Sequence, residues 1–459
     1  MTDMIRCVSP IDGSLYAERV ALEPGEAGAL ATRAARAQKD WAGRPLAERI
    51  ALVRKGVELL CAMGDEATPE LAWQMGRPVR YGGEFGGVAE RAGHMADIAE
   101  AALAPINISD DDKFRRYITR EPHGVVLVIA PWNYPYLTAI NTVAPALIAG
   151  NAVLLKPAAQ TLVSGERMVR AFHEAGVPED VLQTVFLTHQ GTAAMIAGRA
   201  FGFVNFTGSV AGGKAMEAAA AGTFTGLGLE LGGKDAGYVM EDADLEAAVE
   251  TLIDGAMFNS GQCCCGIERI YVAAPLYDRF VEKAVSIVEG YVLGNPLDPE
   301  TTLGPMAQKR FAELVRGQIA GAINGGAKAL ISKDKFPDAG GAYLAPQILT
   351  GVDHSMELMR EENFGPVVGI MKVESDDEAL SLINDSDYGL TASLWTSDMD
   401  RAEGLGRRIE TGTVFMNRAD YLDPALCWSG CKNTGRGGAL SVIGYQNLTR
   451  TKSFHLRKL

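Results

Sequence analysis

Three consecutive cysteines, Cys263, Cys264 and Cys265, follow Gly261 and Gln262. Neighbouring positions on a helix or strand point in different directions, so three adjacent thiols cannot all line one face. The thiolate is the nucleophilic form of cysteine, and backbone N–H groups at a helix N-terminus favour it. A glycine and a polar amide ahead of the run predict a loop that enters a helix and supplies both. Three small buried apolar residues would be the plainer explanation, because cysteine packs readily in cores. A metal site is not expected, since neither a C-x-x-C spacing nor a nearby histidine is present. Glu230 lies 34 residues earlier (264 − 230), at the end of an apolar run and ahead of Gly232, Gly233 and Lys234. A carboxylate in apolar surroundings has a raised pKa and serves as a base near neutrality; in a solvated turn it would be an ordinary surface charge. Asn133 sits in Pro131-Trp132-Asn133-Tyr134-Pro135, directly after the apolar run Val125 to Ala130. That setting holds it rigidly with its amide free to donate, although turn chemistry alone also explains an Asn near prolines.

The elements that must position these residues read as α/β. Residues 24–105 are Ala-rich with helical spacing of apolar positions. From 125 onwards short apolar strands alternate with helices: 125–130, 152–156, 181–186 and 203–206 are strands, with an apolar helix over 140–148. After 233 the alternation repeats, with helices over 247–258 and 277–292 and strands over 269–273, 365–371 and 413–417. Alternation of this kind implies doubly wound parallel sheets. Residues 114–122 and 452–456 alternate apolar and basic, as half-exposed strands do. Phe206-Thr207-Gly208-Ser209-Val210-Ala211-Gly212-Gly213 follows a strand and opens a helix. Gly208 and Gly213 there leave room for backbone to approach a pyrophosphate at a helix N-terminus, although the turn is not G-x-G-x-x-G.

Composition narrows the class. A chain of 459 residues exceeds one core and divides into two or three domains. Its formal net charge of −14 argues against nucleic acid or an anionic membrane as the main partner. No signal peptide is read in the first ten residues and no apolar run is long enough for a membrane span. Seven cysteines, an odd number without a disulfide framework, fit a reducing, cytoplasmic setting. Cys427 and Cys431, four apart, are expected to share a buried turn or helix face.

The segments PWNYP, KPAAQT, FTGS, LELGGK, GQCCC and EENFGP occur in one order over nearly the whole chain. In that order and spacing the chain resembles the aldehyde dehydrogenase superfamily. The resemblance implies a Rossmann-like cofactor domain (residues 1–106 and 123–232), a catalytic domain (233–442) and oligomerisation strands (107–122 and 443–459). It implies NAD(P)-dependent oxidation of an aldehyde to an acid. Cys264 would form the thiohemiacetal and then the thioester. Asn133 and the Cys264 backbone N–H would hold the oxyanion, and Glu230 would activate the hydrolytic water. Cys263 and Cys265 would flank the nucleophile.

The same resemblance puts Gly208 and Ser209 at the cofactor phosphates and Trp132 and Lys156 beside the adenosine half. Glu362 and Phe364 would lie beside the nicotinamide ribose, with Ile129 and Leu231 completing the cofactor site. Taken alone, Lys156 is a strand-end lysine and Glu362 a helix-end charge. Relatives that prefer NAD commonly have a Glu where this chain has Ala159, so NAD is expected and NADP is permitted. Tyr134, Leu137, Phe258 and Trp428 would wall the substrate tunnel, with Arg418, Asp420 and Tyr421 at its mouth. Four apolar or aromatic walls suit a medium-sized aliphatic or aromatic aldehyde. Arg418 would instead recognise a carboxylated semialdehyde, or simply make a surface or interface salt bridge. Many relatives also carry a lysine near Thr142 and a Glu at Gly437, so the proton path here differs or runs through water alone. A CoA-acylating enzyme is disfavoured by the retained Glu230, and a non-catalytic binding protein by the intact Cys264, Glu230 and Asn133. The family's small sheet implies a homodimer or homotetramer, with the C-terminal strand pairing in trans.

Overall fold

The computed structural model describes residues 3–336 and 340–459. One sheet has six strands in the order Gly435–Arg436, Gly226–Glu230, Phe203–Thr207, Val125–Ile129, Ala152–Lys156 and Leu182–Thr184. All neighbours are parallel except Gly435–Arg436, which runs antiparallel to Gly226–Glu230. Val125–Ile129 is buried along its whole length. It reads as an unbroken apolar run because helices cover both faces of the sheet. Val126 and Val128 face a core shared with the helices Leu46–Cys61, Phe85–Leu103 and Pro135–Ile148; Val125, Leu127 and Ile129 face one shared with Pro24–Gly43 and Val210–Ala220.

The second sheet has seven strands, ordered Lys328–Ala329, Gln347–Thr350, Val367–Val373, Ile267–Ala273, Asp235–Val239, Thr391–Trp395 and Thr413–Met416. Only Lys328–Ala329 is antiparallel to its neighbour. Two doubly wound parallel sheets are therefore present, as the alternation implied. The block 233–442 does not belong to the second sheet alone, because Gly435–Arg436 returns to edge the first.

Local chemistry shifts several boundaries. Residues 24–105 form four α-helices rather than one stretch. Arg44 stands before Pro45 and is forced into extended backbone (ψ 147°), and Gly76 ends the third helix at φ 87°. The tail contains a short helix, Ser441–Asn447, held by the Tyr445 hydroxyl donating to the Met95 carbonyl at 2.7 Å.

A third, antiparallel sheet orders Thr449–Arg457, Phe114–Pro122 and Ile106–Asp110. Its C-terminal strand pairs in register from Thr449 opposite Pro122 to Arg457 opposite Phe114, within the same chain. Nine residues of local partner occupy this side of the strand, so the expected pairing in trans falls to its other edge. Among the described residues its outer edge has no strand partner. Among the described residues no helix is long and apolar enough to cross a membrane.

Candidate active site

The cysteines leave a strained turn and run into the strand Ile267–Ala273, so the expected helix behind them is absent. No helix N-terminus supplies thiolate stabilisation. Instead Asn259, Ser260 and Gly261 are all left-handed, with φ of 55°, 55° and 71°. For the two non-glycine residues that conformation costs of order 1 kcal/mol or more each, and hydrogen bonds over-determine it. Asn259 Nδ2 donates to the Gln262 carbonyl at 3.3 Å and Gln262 Nε2 donates back to the Asn259 carbonyl at 3.1 Å. The Ala307 N–H donates to Gln262 Oε1 at 2.7 Å, and Ser260 Oγ to the Gly304 carbonyl at 2.9 Å. Position 261 must be glycine: a Cβ there would lie 2.1 Å from the Gly365 carbonyl oxygen.

Of the three thiols, Cys264 alone lines a small cavity shared with Glu230, Thr138, Asn141, Thr207 and Trp428. The cavity leaves about 20 Å³ for the centres of water-sized molecules, enough for a water. Burial pushes the Glu230 carboxyl up to about 7, against the opposing pull of the Thr207 hydroxyl at 3.4 Å and the Arg91 charge. A base with that pKa is half ionised at neutrality.

The thiols influence one another strongly. Hydrogen bonds from Cys264 and Cys265 hold Cys263 well below the usual thiol range, and Cys264 and Cys265 are pushed up by their bonds to Cys263. Cys263 and Cys265 place their sulfurs 3.5 Å apart. Acidity thus favours Cys263, whereas access to the Glu230 cavity favours Cys264. Access decides which sulfur can meet a carbonyl carbon beside Glu230.

Asn133 is buried, and its amide is not wholly free. Nδ2 donates to the Gln262 carbonyl at 3.2 Å, which leaves one of its two hydrogens uncommitted. Asn133 does not line the Glu230 cavity; it reaches the nucleophile loop through Gln262. Its backbone is held by Arg77, whose guanidinium donates to the Asn133 carbonyl, pairs with Glu84 at 2.9 Å and lies over the Tyr134 ring at 4.5 Å. Glu84 in turn accepts the N–H groups of Tyr136 and Leu137 at 3.0 and 2.6 Å, satisfying the start of the helix Pro135–Ile148. Sequence reasoning missed Arg77 and Glu84, because an Arg and a Glu seven apart in a helical region carry no motif.

On the cofactor side, Trp132 stacks on Phe311 at 5.3 Å and meets Phe364 edge-on at 5.5 Å. Ser209 caps the helix Val210–Ala220, its Oγ accepting from the Gly212 N–H at 3.2 Å. The glycines of this turn serve packing: a Cβ at Gly213 would lie 2.6 Å from Leu231, and one at Gly208 would lie 2.8 Å from the Phe206 ring. The expected room for a pyrophosphate at Gly213 is therefore taken by Leu231. Burial lowers Lys156 to about 8, and none of the described residues pairs with its ammonium group. Ala159 is exposed at the following turn. Glu362 accepts the Gly233 N–H at 2.9 Å, and burial pushes it up to about 8. A buried pair that sequence reasoning passed over pins this loop. Lys234 meets Glu268 at 2.7 Å and donates to Asn363 Oδ1 at 2.6 Å, while Glu268 accepts the N–H groups of Asn363 and Phe364. Ile129 and Leu231 are buried in one hydrophobic core, and Leu231 also lines the Glu230 cavity.

The residues expected around the substrate divide. Trp428 is buried in the Glu230 cavity, Tyr134 lies against Cys263, and Phe258 packs on Tyr81 with ring centres 4.7 Å apart. Leu137 packs towards Gly87, where an added Cβ would come within 2.7 Å of it. Arg418 is exposed and its guanidinium lies 3.6 Å over the Tyr421 ring; among the described residues no carboxylate forms an ion pair with it, so the expected surface salt bridge is not formed within the chain. The Tyr421 hydroxyl donates to Glu90. Asp420 is pushed up to about 7, mainly by burial and next by Cys263. All seven cysteines are free; Cys431 donates to the Glu410 carbonyl at 3.1 Å, while Cys427 lies near Gly438, so the two do not share a face.

The family described as "Aldehyde dehydrogenase family" matches residues 1–454. The chain belongs to that family. A succinate-semialdehyde dehydrogenase [NADP(+)] of Deinococcus radiodurans is 33% identical over 446 residues, covering 97% of this chain and 93% of its own length. A lactaldehyde dehydrogenase of Escherichia coli is 31% identical, covering 92% of this chain and 89% of its own length. Among solved structures, an NADP-dependent glyceraldehyde-3-phosphate dehydrogenase from Bacillus halodurans, complexed with NADP, superimposes with TM-score 0.93 at 32% identity. It covers 99% of this chain and 96% of its own. As a member of the family, the protein is an NAD(P)-dependent aldehyde dehydrogenase that oxidises aldehydes.

Proposed function

We propose that Cys264 is the nucleophile and Glu230 the hydrolytic base, and that the enzyme has broad specificity for medium-sized apolar or aromatic aldehydes. The observation that carries this reading is the shared cavity of Cys264 and Glu230, with the carboxyl at about 7. Cys264 gives its thiol proton to a water in the shared cavity as Sγ adds to the aldehyde carbon, and the developing oxyanion takes the Cys264 N–H and the uncommitted hydrogen of Asn133 Nδ2. A bound nicotinamide would supply the hydride acceptor, and loss of hydride from the adduct would leave the acyl group as a thioester on Cys264. Glu230 then removes a proton from a water that attacks the thioester carbon, the C–S bond breaks, and the acid departs. Trp132, Phe364, Glu362, Ser209 and Lys156 are the residues that would hold the cofactor. The half-buried Lys156 ammonium, unpaired among the described residues, supports this fit, because a cation drawn partly out of water is costly without an anionic or polar partner.

A carboxylated semialdehyde is the second reading, favoured by the exposed Arg418, which forms no close ion pair among the described residues although its charge acts on Asp420. Retention of Glu230 disfavours CoA acylation. The homo-oligomer is proposed through the outer edge of Thr449–Arg457, since an unpaired nine-residue edge invites another strand; free thiols fit a cytoplasmic setting. One assay tests the chemistry: NAD(P)H formation with hexanal, benzaldehyde and succinic semialdehyde, with and without CoA. Turnover requiring CoA would overturn hydrolysis, and a preference for the semialdehyde of a hundredfold or more would overturn broad specificity. Light scattering tests assembly, and a mass equal to a single chain would refute it.

A further inference from the structure

Asn141 is 2% exposed, on the helix Pro135–Ile148, and its Nδ2 has no hydrogen-bond partner among the described residues. Leaving a buried amide donor unpaired costs of order 1–3 kcal/mol, so the position of this group calls for a reason. Its other end is occupied: Oδ1 accepts from Arg91 Nη1 at 3.4 Å. A cation on Oδ1 fixes which way the amide points, and Nδ2 is turned away from Arg91. Asn141 is also the one residue that lines both of two neighbouring cavities. The first holds Glu230 and Cys264. The second lies behind it, lined by Thr142, Asn205, Asn447, Gly228 and Gly438, with about 10 Å³ for the centre of a water. That is the lower limit for one water, and its polar side chains provide the partners a buried water needs.

We propose that Asn141 is a positioning residue for thioester hydrolysis: its Nδ2 holds a water that links Glu230 to the second cavity and so provides a route for protons to leave the base. The proposal rests on the assignment of Glu230 as base. In the hydrolytic step the water oxygen forms the new bond to the thioester carbon, the C–S bond breaks, and the water's proton goes to the Glu230 carboxylate. That proton must be given up before the next turnover, and Glu230 is enclosed. It passes to the water held by Nδ2, which hands a proton on to the water in the second cavity. Arg91 disfavours a proton resting there, so the transfer is a passage and not a store. The titratable groups facing Glu230 are Arg91 from the helix Phe85–Leu103, Cys264 from the nucleophile loop and Cys427 from the segment before Trp428.

The test is Asn141→Leu, which keeps size and removes the donor, measured by the NAD(P)H burst, the steady-state rate, the solvent deuterium isotope effect and the pH profile. The expected result is a burst rate within about twofold of wild type and a steady-state rate lower by roughly tenfold or more. The isotope effect should be larger and the acid limb moved to higher pH. An unchanged steady-state rate would overturn the proposal, and so would equal losses in burst and steady state, which would mark a packing role. Should the leucine variant not fold, Asn141→Val, which also lacks the N–H donors and adds no titratable group, is read in the same way. In the wild-type protein a crystal structure resolving ordered waters should show one within hydrogen-bond distance of Nδ2; a dry Nδ2 would overturn the proposal. Failure of the base assignment looks different: Glu230→Gln would then turn over normally whatever Asn141 does.

Discussion

Replacing Glu230 with Gln removes the base while keeping its shape, and the structure sets the size of two effects. Burial moves this carboxyl from its ordinary 4.5 to about 7. At 1.36 kcal/mol per unit, that is roughly 3 kcal/mol by which the folded state disfavours the ionised form. The first effect is kinetic. Only ionised Glu230 can take a proton, so wild-type turnover should rise with pH through about 7, reaching about half its plateau there and about a tenth of it one unit lower. The Gln variant should give a burst of one NAD(P)H per site and then a steady rate roughly 10²–10⁴-fold below wild type, without that limb. The second effect is on stability. A carboxyl raised on folding binds its proton more tightly in the native state, so stability is fully present below 4.5 and is lost as pH rises through 7. Glu230→Gln should therefore raise the melting temperature at pH 8 and leave it almost unchanged at pH 4.5. Stopped-flow nicotinamide absorbance and thermal melts at the two pH values measure both. Asp420, also near 7, is the control: Asp420→Asn should keep the limb. A Gln variant that turns over at the wild-type rate, or keeps the limb near pH 7, would refute the reasoning.

Cys264→Ala should abolish oxidation while Cys263→Ala and Cys265→Ala retain much of it. Peptide mapping after iodoacetamide will show which sulfur reacts, and alkylation of Cys263 without loss of activity would show that acidity and catalysis lie on different sulfurs. Asn133→Ala should slow single-turnover hydride transfer by roughly 10²–10³-fold, the effect of losing one oxyanion donor; an unchanged single turnover would exclude that role. Ala159→Glu places a carboxylate at an exposed turn after Lys156. It should raise KM for NADP by about tenfold, equivalent to about 1.4 kcal/mol of repulsion, with little change for NAD; equal effects on both cofactors would remove this position from cofactor choice.

Much of the molecule is legible in the amino-acid sequence alone. Short apolar strands buried on both faces stand out as unbroken runs, which is why Val125–Ile129 and Ala152–Lys156 can be read directly. Six short segments in one order carry the family, and the spacing from Glu230 singles out the middle cysteine. An apolar run ending in Glu230 also implies its raised pKa, because desolvation follows from the neighbours on its own strand. What tertiary structure decided are contacts between distant segments. Three left-handed residues, tied through Ala307 and Gly304 and lying close against Gly365, send the cysteines into a strand instead of the expected helix, and local propensity holds no record of those contacts. Arg77 with Glu84 and Lys234 with Glu268 became positioning pairs only when folding buried them together. The C-terminal strand found its partner at Phe114–Pro122, more than three hundred residues away, where alternation alone could not tell a partner in the same chain from one in another. Asn141 reads as one polar residue in an apolar helix; its meaning comes from Arg91 on a different helix and from two cavities that exist only between packed elements.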